Sequence, residues 1–429
     1  MKPVHSCFGN PGRMVASLAM AVMAGCASLP PSGSAVPVPA QAGGLPDVAL
    51  RERQDRLLAQ PLSQDAAAEL ALLHPALAPH YAALQIDAAS RLRLAHAPAP
   101  GTDAARGHGA AESKVERTLT INLASWLVAP ALRPQPSAAA AGPGEAASAG
   151  DTRMAAADAI GDWVFSTRRA WVRAIAARQA LRHANEAVRL AGASQDLART
   201  MRQVGSAATL DLLRAQQLHA QATASRAQRD ADARLLREQL QYRTGIWGLA
   251  IDGLQLADRL PELPPSAVNA EGLEAVAVSQ RVDMQAARAA LARHDADADA
   301  ARPALHEAHQ AMLDAAALRA RAEIRGAWIG YRSRLELARH ACDVALPLAR
   351  RIAEEQGRRY NGMLASVFEL IASTAQQIDA GAGCAAAQGA FWLAEVDLQQ
   401  ALAGLGRLPA PAGDITGAAD AGPIHAGDH

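Results

Sequence analysis

Apolar positions recur along this chain at helical spacing, over spans far longer than an ordinary helix. From Asp151 to Val204 no proline interrupts the pattern, and at 1.5 Å per residue that predicts a rod of roughly 80 Å. Leu190, Leu197 and Val204 stand seven apart, as a coiled-coil seam requires, while Arg178, Arg182, Arg189 and Gln195 supply polar faces. Gly205-Ser206 breaks this rod, and Leu210 to about Thr244 reads as a second helix running back. The plan then recurs, with a helix over Leu273 to Ala301, a rod over Ala304 to Tyr360, a turn at Asn361-Gly362 and a return helix from Ser366 to Leu402. Pro347 should kink the second rod. Ahead of the first rod, helices are predicted over 47–60 and 63–89, the second opened by a Ser63 cap. Alternation of strand type occurs only within 89–128, most clearly over Thr118 to Leu123, and predicts one β-hairpin there.

The recurrence is a duplication. Trp171 and Trp328 lie 157 residues apart, and the same spacing relates Ala170 to Ala327, His183 to His340, Gly205 to Gly362 and Leu213 to Leu370, with no gap required. On this spacing the counterpart of Asp211 is Phe368. The helix before each rod repeats at a different spacing, since Ala82-Ala83-Leu84 matches Ala289-Ala290-Leu291 at 207 residues. The second half is therefore about 50 residues shorter ahead of its rod, and the hairpin is what it lacks. The expected organisation is a signal peptide over 1–25, a linker over 26–46, a first helical repeat with the hairpin over 47–265, a second helical repeat without one over 266–405, and a disordered tail over 406–429. The fold class is mainly α, built of duplicated long antiparallel helical hairpins.

Composition sharpens this picture. Half of the 429 residues are hydrophobic but only 3% are aromatic. Alanine-rich sequence of this kind suits long helices that approach closely and bury thin stripes. The 42 basic and 42 acidic residues cancel, so no global field points to nucleic acid. Trp171 and Trp328 read as helix-packing residues.

The N-terminus reads as an export signal: Lys2, His5 and Arg13 precede an apolar stretch from Met14 to Met23. Met23-Ala24-Gly25-Cys26 resembles the bacterial lipobox, in which the cysteine is acylated and becomes the new N-terminus; the alternative is an ordinary signal peptide that happens to precede a cysteine. Ala27 after the cysteine favours, by the same resemblance, delivery to the outer membrane. Outside the signal no stretch supplies the ~20 apolar residues of a transmembrane helix. Cys342 and Cys384 could pair in an oxidising compartment, but they fall in separate helices with no spacing constraint, which favours two free buried thiols.

At the turns the sequence becomes recognisable. The run from Gly205-Ser206-Ala207-Ala208-Thr209 to Gln216 resembles the helix-turn-helix tip of the TolC family of outer-membrane efflux proteins. Its counterpart, Arg359-Tyr360-Asn361-Gly362 to Leu370, is similar to a lipoprotein branch of that family. Gly245-Ile246-Trp247-Gly248, Leu260-Pro261-Glu262-Leu263-Pro264 and Arg281-Val282-Asp283-Met284 also fit. The resemblance covers about Asp47 to Leu405. It implies a homotrimeric tube, with a periplasmic α-barrel of long helices and a membrane β-barrel of four strands per protomer. It also implies that the Gly205 and Gly362 turns, with Ser206, Asp211, Asn361 and Phe368, meet a periplasmic adaptor protein linked to an inner-membrane pump. This chain departs from that pattern, because three copies with one hairpin each give six strands, below the eight of the smallest single-chain membrane barrels.

Other candidate chemistry is sparse. His306 and His309, with His294 and Asp295 nearby, are weak metal-ligand candidates, and the reading favoured is surface histidines. Asp211 is either part of a carboxylate ring at the tube entrance or a helix N-terminal acid serving its own backbone. No phosphate loop, nucleophile elbow, CxxC or HExxH spacing occurs, so no enzymatic activity and no cofactor are expected.

Overall fold

A computed structural model describes residues 45–87, 127, 143–246, 254–296 and 303–405. The expected hairpin over 89–128 lies outside the described residues except at Leu127, which is helical rather than extended, and Cys26 and the tail beyond 405 lie outside them too. From Val48 onward the described residues belong to one compact unit.

Short helices come first: α1 (Leu45–Leu58), α2 (Gln64–Leu72) and α3 (Ala78–Ala83). Ser63 caps α2 as expected, its hydroxyl accepting the Ala66 N–H at 3.1 Å. The helix expected over 63–89 is, however, broken. Pro75 restricts His74 to extended backbone and a 3₁₀ turn follows over Pro75–Leu77. His74 Nδ1 accepts the Ala76 N–H at 3.0 Å, and the Tyr81 hydroxyl ties the pieces together by donating to Leu72 O at 2.7 Å.

The first rod is α4 (Pro143–Gln203), 61 residues and so about 90 Å long, and α5 (Thr209–Thr244) returns along it. In the second half the helix expected over 273–301 is two, α6 (Leu273–Gln280) and α7 (Val282–Ala296), divided at Arg281, whose backbone is extended. The Arg281 guanidinium explains the division. It is buried between Asp283 and Glu323, each at 2.7 Å, and donates to Ala401 O at 2.8 Å, so the chain turns to deliver it.

The second rod is α8 (Pro303–Arg339), a π-helical segment over His340–Ala345, and α9 (Leu346–Asn361). Pro347 accounts for the interruption: it lacks an N–H, and its ring crowds the carbonyl four residues back. The disturbance is taken up as a wider helical turn just ahead of it. The return helix is α10 (Val367–Ala403).

Within the chain the four long pieces lie in the order α5, α4, α10, α8/α9. Two clusters fill the region where the short helices pack. One gathers Leu77, Tyr81, Leu84, Leu127, Ile160, Val164, Phe165, Val282, Val396 and Leu405. The other surrounds Trp171 with Leu62, Leu70, Ile175, Leu240, Leu254, Tyr331, Phe391 and Trp392. Toward the tips the buried residues are Ala191, Ser194, Ala198, Ala215, Ala353, Ser373 and Ala385, a thin stripe of small side chains. Arginines join α4 to α10 across the thick end. Arg168, 1% exposed, donates to Gln399 and Asp65, while Arg169 binds Asp397 and Gln400.

The expectation of free thiols is overturned, because Cys342 and Cys384 form a disulfide. Both are half-buried rather than buried. Hairpin geometry is the cause: each cysteine stands 21 residues from Met363 at the turn, which places the two opposite one another on antiparallel arms.

Candidate functional site

Each tip is built by backbone hydrogen bonds that the helix end would otherwise leave open. At the first, Gly205 adopts φ 77°, and the N–H groups of Gly205 and Ser206 donate to Arg202 O and Met201 O at 3.1 and 2.9 Å. This is the left-handed closure that glycine favours. Ala208 then caps α5, and Asp211 Oδ2 accepts the Ala208 N–H at 3.1 Å.

At the second tip the left-handed residue is not Gly362, whose φ is −81°, but Met363, at φ 59°. Met363 and Leu364 donate to Tyr360 O and Arg359 O at 2.9 and 2.8 Å, while Gly362 donates to Arg358 O. Ser366 and Glu369 form a complete capping box: Glu369 Oε2 accepts the Ser366 N–H at 2.7 Å, and Ser366 Oγ accepts the Glu369 N–H at 3.3 Å. Donation by the Ser366 N–H, and next by its hydroxyl to the same oxygen at 3.2 Å, holds the Glu369 carboxyl below its ordinary range.

The pairing by 157 therefore fails at the tips. Gly205 corresponds to Met363, Ser206 to Leu364 and Asp211 to Glu369, all 158 apart. Phe368 is not the counterpart of Asp211, and both return helices carry an acid at the third position that serves its own backbone. The gapless repeat is corrected to one with an extra residue in the second rod, where the π segment lies. A π-helical turn is what one inserted residue makes of an α-helix.

Around these turns apolar side chains project outward. Val204 is 74% exposed and Met363 94%, with Leu210, Leu213, Tyr360, Leu364 and Phe368 also exposed. Arg202 and Arg214 flank the first tip and Arg358 and Arg359 the second, all exposed. Asn361 is the last residue of α9. Each tip thus presents an apolar knob with a basic collar.

The duplicated tryptophans sit far from the tips, in equivalent roles. Trp171 Nε1 donates to Leu62 O at 2.7 Å and Trp328 Nε1 to Val268 O at 3.0 Å, each pinning the segment ahead of its rod. Trp171 is 3% exposed and Trp328 half-buried. Sequence reasoning missed that arginines share this spacing. Arg168 and Arg325, 157 apart, bind Asp65 and Glu274 near the starts of α2 and α6. Arg182 and Arg339, also 157 apart, donate to Asp258 O and Pro264 O. The stretch over 254–268 is thereby strapped across both rods, with Trp392 Nε1 on Pro261 O at 3.1 Å.

The histidine candidates lie together, with the His294 and His306 ring centroids 6.2 Å apart, but are engaged otherwise than as a ligand set. His306 Nδ1 pairs with Asp295 at 2.9 Å, His309 Nδ1 with Leu305 O at 2.8 Å, and the His294 and His309 rings stack 5.2 Å apart. Among the described residues no group of three or more His, Cys, Asp or Glu could hold a metal ion. None of the described helices is long and apolar enough to cross a membrane.

No protein-family model matches the chain, and no curated protein matches it in sequence. Solved structures do resemble it. The outer-membrane protein VceC of Vibrio cholerae is 13% identical with a TM-score of 0.50, the likeness covering 80% of this chain and 96% of that one. The outer-membrane channel OprN is 17% identical with a TM-score of 0.51, over 83% of this chain and 92% of that one. Two duplicated hairpins, the short-helix junction between them and the capped tips together give this chain the TolC-type fold of outer-membrane channel proteins.

Proposed function

We propose that this chain is the outer-membrane component of a tripartite efflux system, anchored by lipid at Cys26 and assembled as a homotrimer with most of its mass in the periplasm. The observation that carries the reading is the state of the two edge helices. α5 exposes Leu210, Leu213, Leu218, Leu235 and Tyr242, and α8/α9 exposes Met312, Leu318, Ile329, Leu337, Val344, Leu348 and Ile352. Among the described residues α5 packs along α4 and α8/α9 along α10, and neither meets a further long helix on its other side. In a ring, α8/α9 of one copy covers α5 of the next, and every edge is satisfied. The apolar tips, with Gly205, Ser206, Asp211, Asn361, Gly362 and Phe368, then dock a periplasmic adaptor that couples to an inner-membrane pump. The tube conducts passively and supplies no chemistry; metal ions or small toxic compounds are its cargo. Cysteine pairs placed across the proposed seam, one on α9 and one on α5, should cross-link copies into trimers in intact cells. Cross-links that stop at dimers or never form would sink the assembly.

One observation favours a second reading. Only residues 297–302 separate α7 from α8, whereas residues 84–142 separate α3 from α4. Two membrane strands need about 9–11 residues each, so six residues leave no room for a second hairpin. A lipid-anchored periplasmic scaffold without its own pore follows if the segment over 89–128 forms no inserted hairpin. Blocking lipidation with Cys26→Ala and extracting membranes with urea separates the two: an inserted ring stays in the membrane fraction, and a lipid-only anchor is released.

A further inference from the structure

The two hairpins carry a cross-arm contact at the same station, and the contact differs in kind. In the first, Arg226 Nε on α5 donates to Asn185 Oδ1 on α4 at 3.0 Å, and both groups face solvent in part. Asn185 lies 157 residues before Cys342, and Arg226 lies 158 before Cys384. The second hairpin therefore has a disulfide where the first has one exchangeable hydrogen bond. The step from 157 to 158 falls between Cys342 and the turn, as it must if the inserted residue sits in the His340–Ala345 segment. Cys342 is inside that segment, where Leu346 donates to Ala341 O, five residues back.

A π turn inside a long α-helix has no intrinsic position. Shifting it along the rod leaves every residue outside it helical, but rotates the residues it passes by about 100°. Pro347 bars it from moving on, because a regular α-helical path up to Pro347 would drive its ring against the Asp343 carbonyl four residues back. Movement the other way is opposed by the covalent bond to α10, because a migrating turn would carry Cys342 off the face that meets Cys384.

We propose that the Cys342–Cys384 disulfide is a register clamp: it pins the inserted turn and makes the second hairpin the rigid arm, leaving the first hairpin as the compliant one. The clamp follows from the fold alone and stands whether or not the chain conducts. Hydrogen exchange on the full-length lipoprotein in detergent tests it by comparing matched segments, 346–361 with 188–203 and 367–384 with 209–226. In the oxidised protein the second-hairpin segments should exchange about tenfold more slowly than their partners. Reduction with a phosphine, or the double substitution Cys342→Ser/Cys384→Ser, should erase that difference. Because the double variant could fail to fold, reduction of the already folded protein gives the same readout independently. Conversely, Asn185→Cys/Arg226→Cys should cross-link the first hairpin and slow its segments by a similar factor. Equal exchange in the two oxidised hairpins, or second-hairpin exchange unchanged on reduction, would overturn the clamp.

Discussion

Replacing each duplicated tryptophan by phenylalanine separates what the repeat shares from what its setting adds. Both substitutions keep an aromatic ring and remove one N–H. In the first repeat the orphaned acceptor is Leu62 O, on a residue that is 0% exposed and whose own N–H is already committed to Gln255 O at 2.7 Å. Water cannot reach it. Trp171→Phe should therefore cost about 1–3 kcal/mol, the desolvation penalty of an unpaired buried group, plus about 1 kcal/mol for the smaller ring. In the second repeat Trp328 and its partner residue Val268 are both only half-buried, so the net hydrogen-bond term applies, about 0.5–1.5 kcal/mol. A weaker stack of the Arg332 guanidinium on Phe than on the Trp328 ring, 5.7 Å away, adds about 0.5 kcal/mol at most. Denaturation in detergent followed by helical circular dichroism should rank Trp171→Phe below Trp328→Phe, and both below the native protein. A Trp328→Phe variant that loses as much as Trp171→Phe, or more, would refute the argument from burial.

Glycine substitutions give a sharper contrast. A Cβ on Gly161 would lie 2.5 Å from Leu405 Cβ, whereas one on Gly326 meets nothing within 4 Å. Gly161→Ala should destabilise by about 1–3 kcal/mol through overpacking, and Gly326→Ala should gain about 0.5–1 kcal/mol in thermal unfolding. Met363→Gly should stabilise the second turn by about 1 kcal/mol, since it relieves a positive φ, while removing a 94% exposed side chain from the tip. If docking uses that side chain, adaptor binding measured by surface plasmon resonance weakens even as stability rises. Burial, with a smaller push from Arg243 and against the pull of a hydrogen bond to Tyr242 backbone, lowers the pKa of His74 below its ordinary 6.5. The folded state thus binds fewer protons at His74 than the unfolded state. Its stability is full above about pH 6.5 and declines as the pH falls below that, and His74→Gln should flatten the decline.

Much of this architecture was legible in the sequence because long helices write their periodicity plainly, and Ser63, Gly205 and Ser366 mark ends by chemistry. The halves could be paired because Trp171 and Trp328 do the same job on the same kind of carbonyl. What stayed hidden depends on contacts between arms. One inserted residue among alanines leaves no trace in a similarity count, and Gly362 beside the turn imitates Gly205 although Met363 takes the left-handed backbone. That single step misassigned Phe368 as the partner of Asp211. Cys342 and Cys384 become a pair only when the turn between them is located, after which their equal distance from Met363 is a usable signal. Arg168 carries no sequence signal, and Arg281 stands out only within the family-like Arg281-Val282-Asp283-Met284, since nothing local says that groups from α2, α8 and α10 will enclose them. The breaks at Pro75 and Arg281 differ in the same way: the first is written in the sequence, and the second is imposed by where one guanidinium must go.

The most direct test of the channel reading is planar-bilayer conductance of the purified protein, run on a fraction whose mass has been measured in the same detergent. A trimeric fraction that produces discrete, reproducible conductance steps is the predicted result. A trimer or monomer that binds the bilayer and leaves it silent would contradict the account, and would assign the duplicated hairpins to a periplasmic scaffold instead.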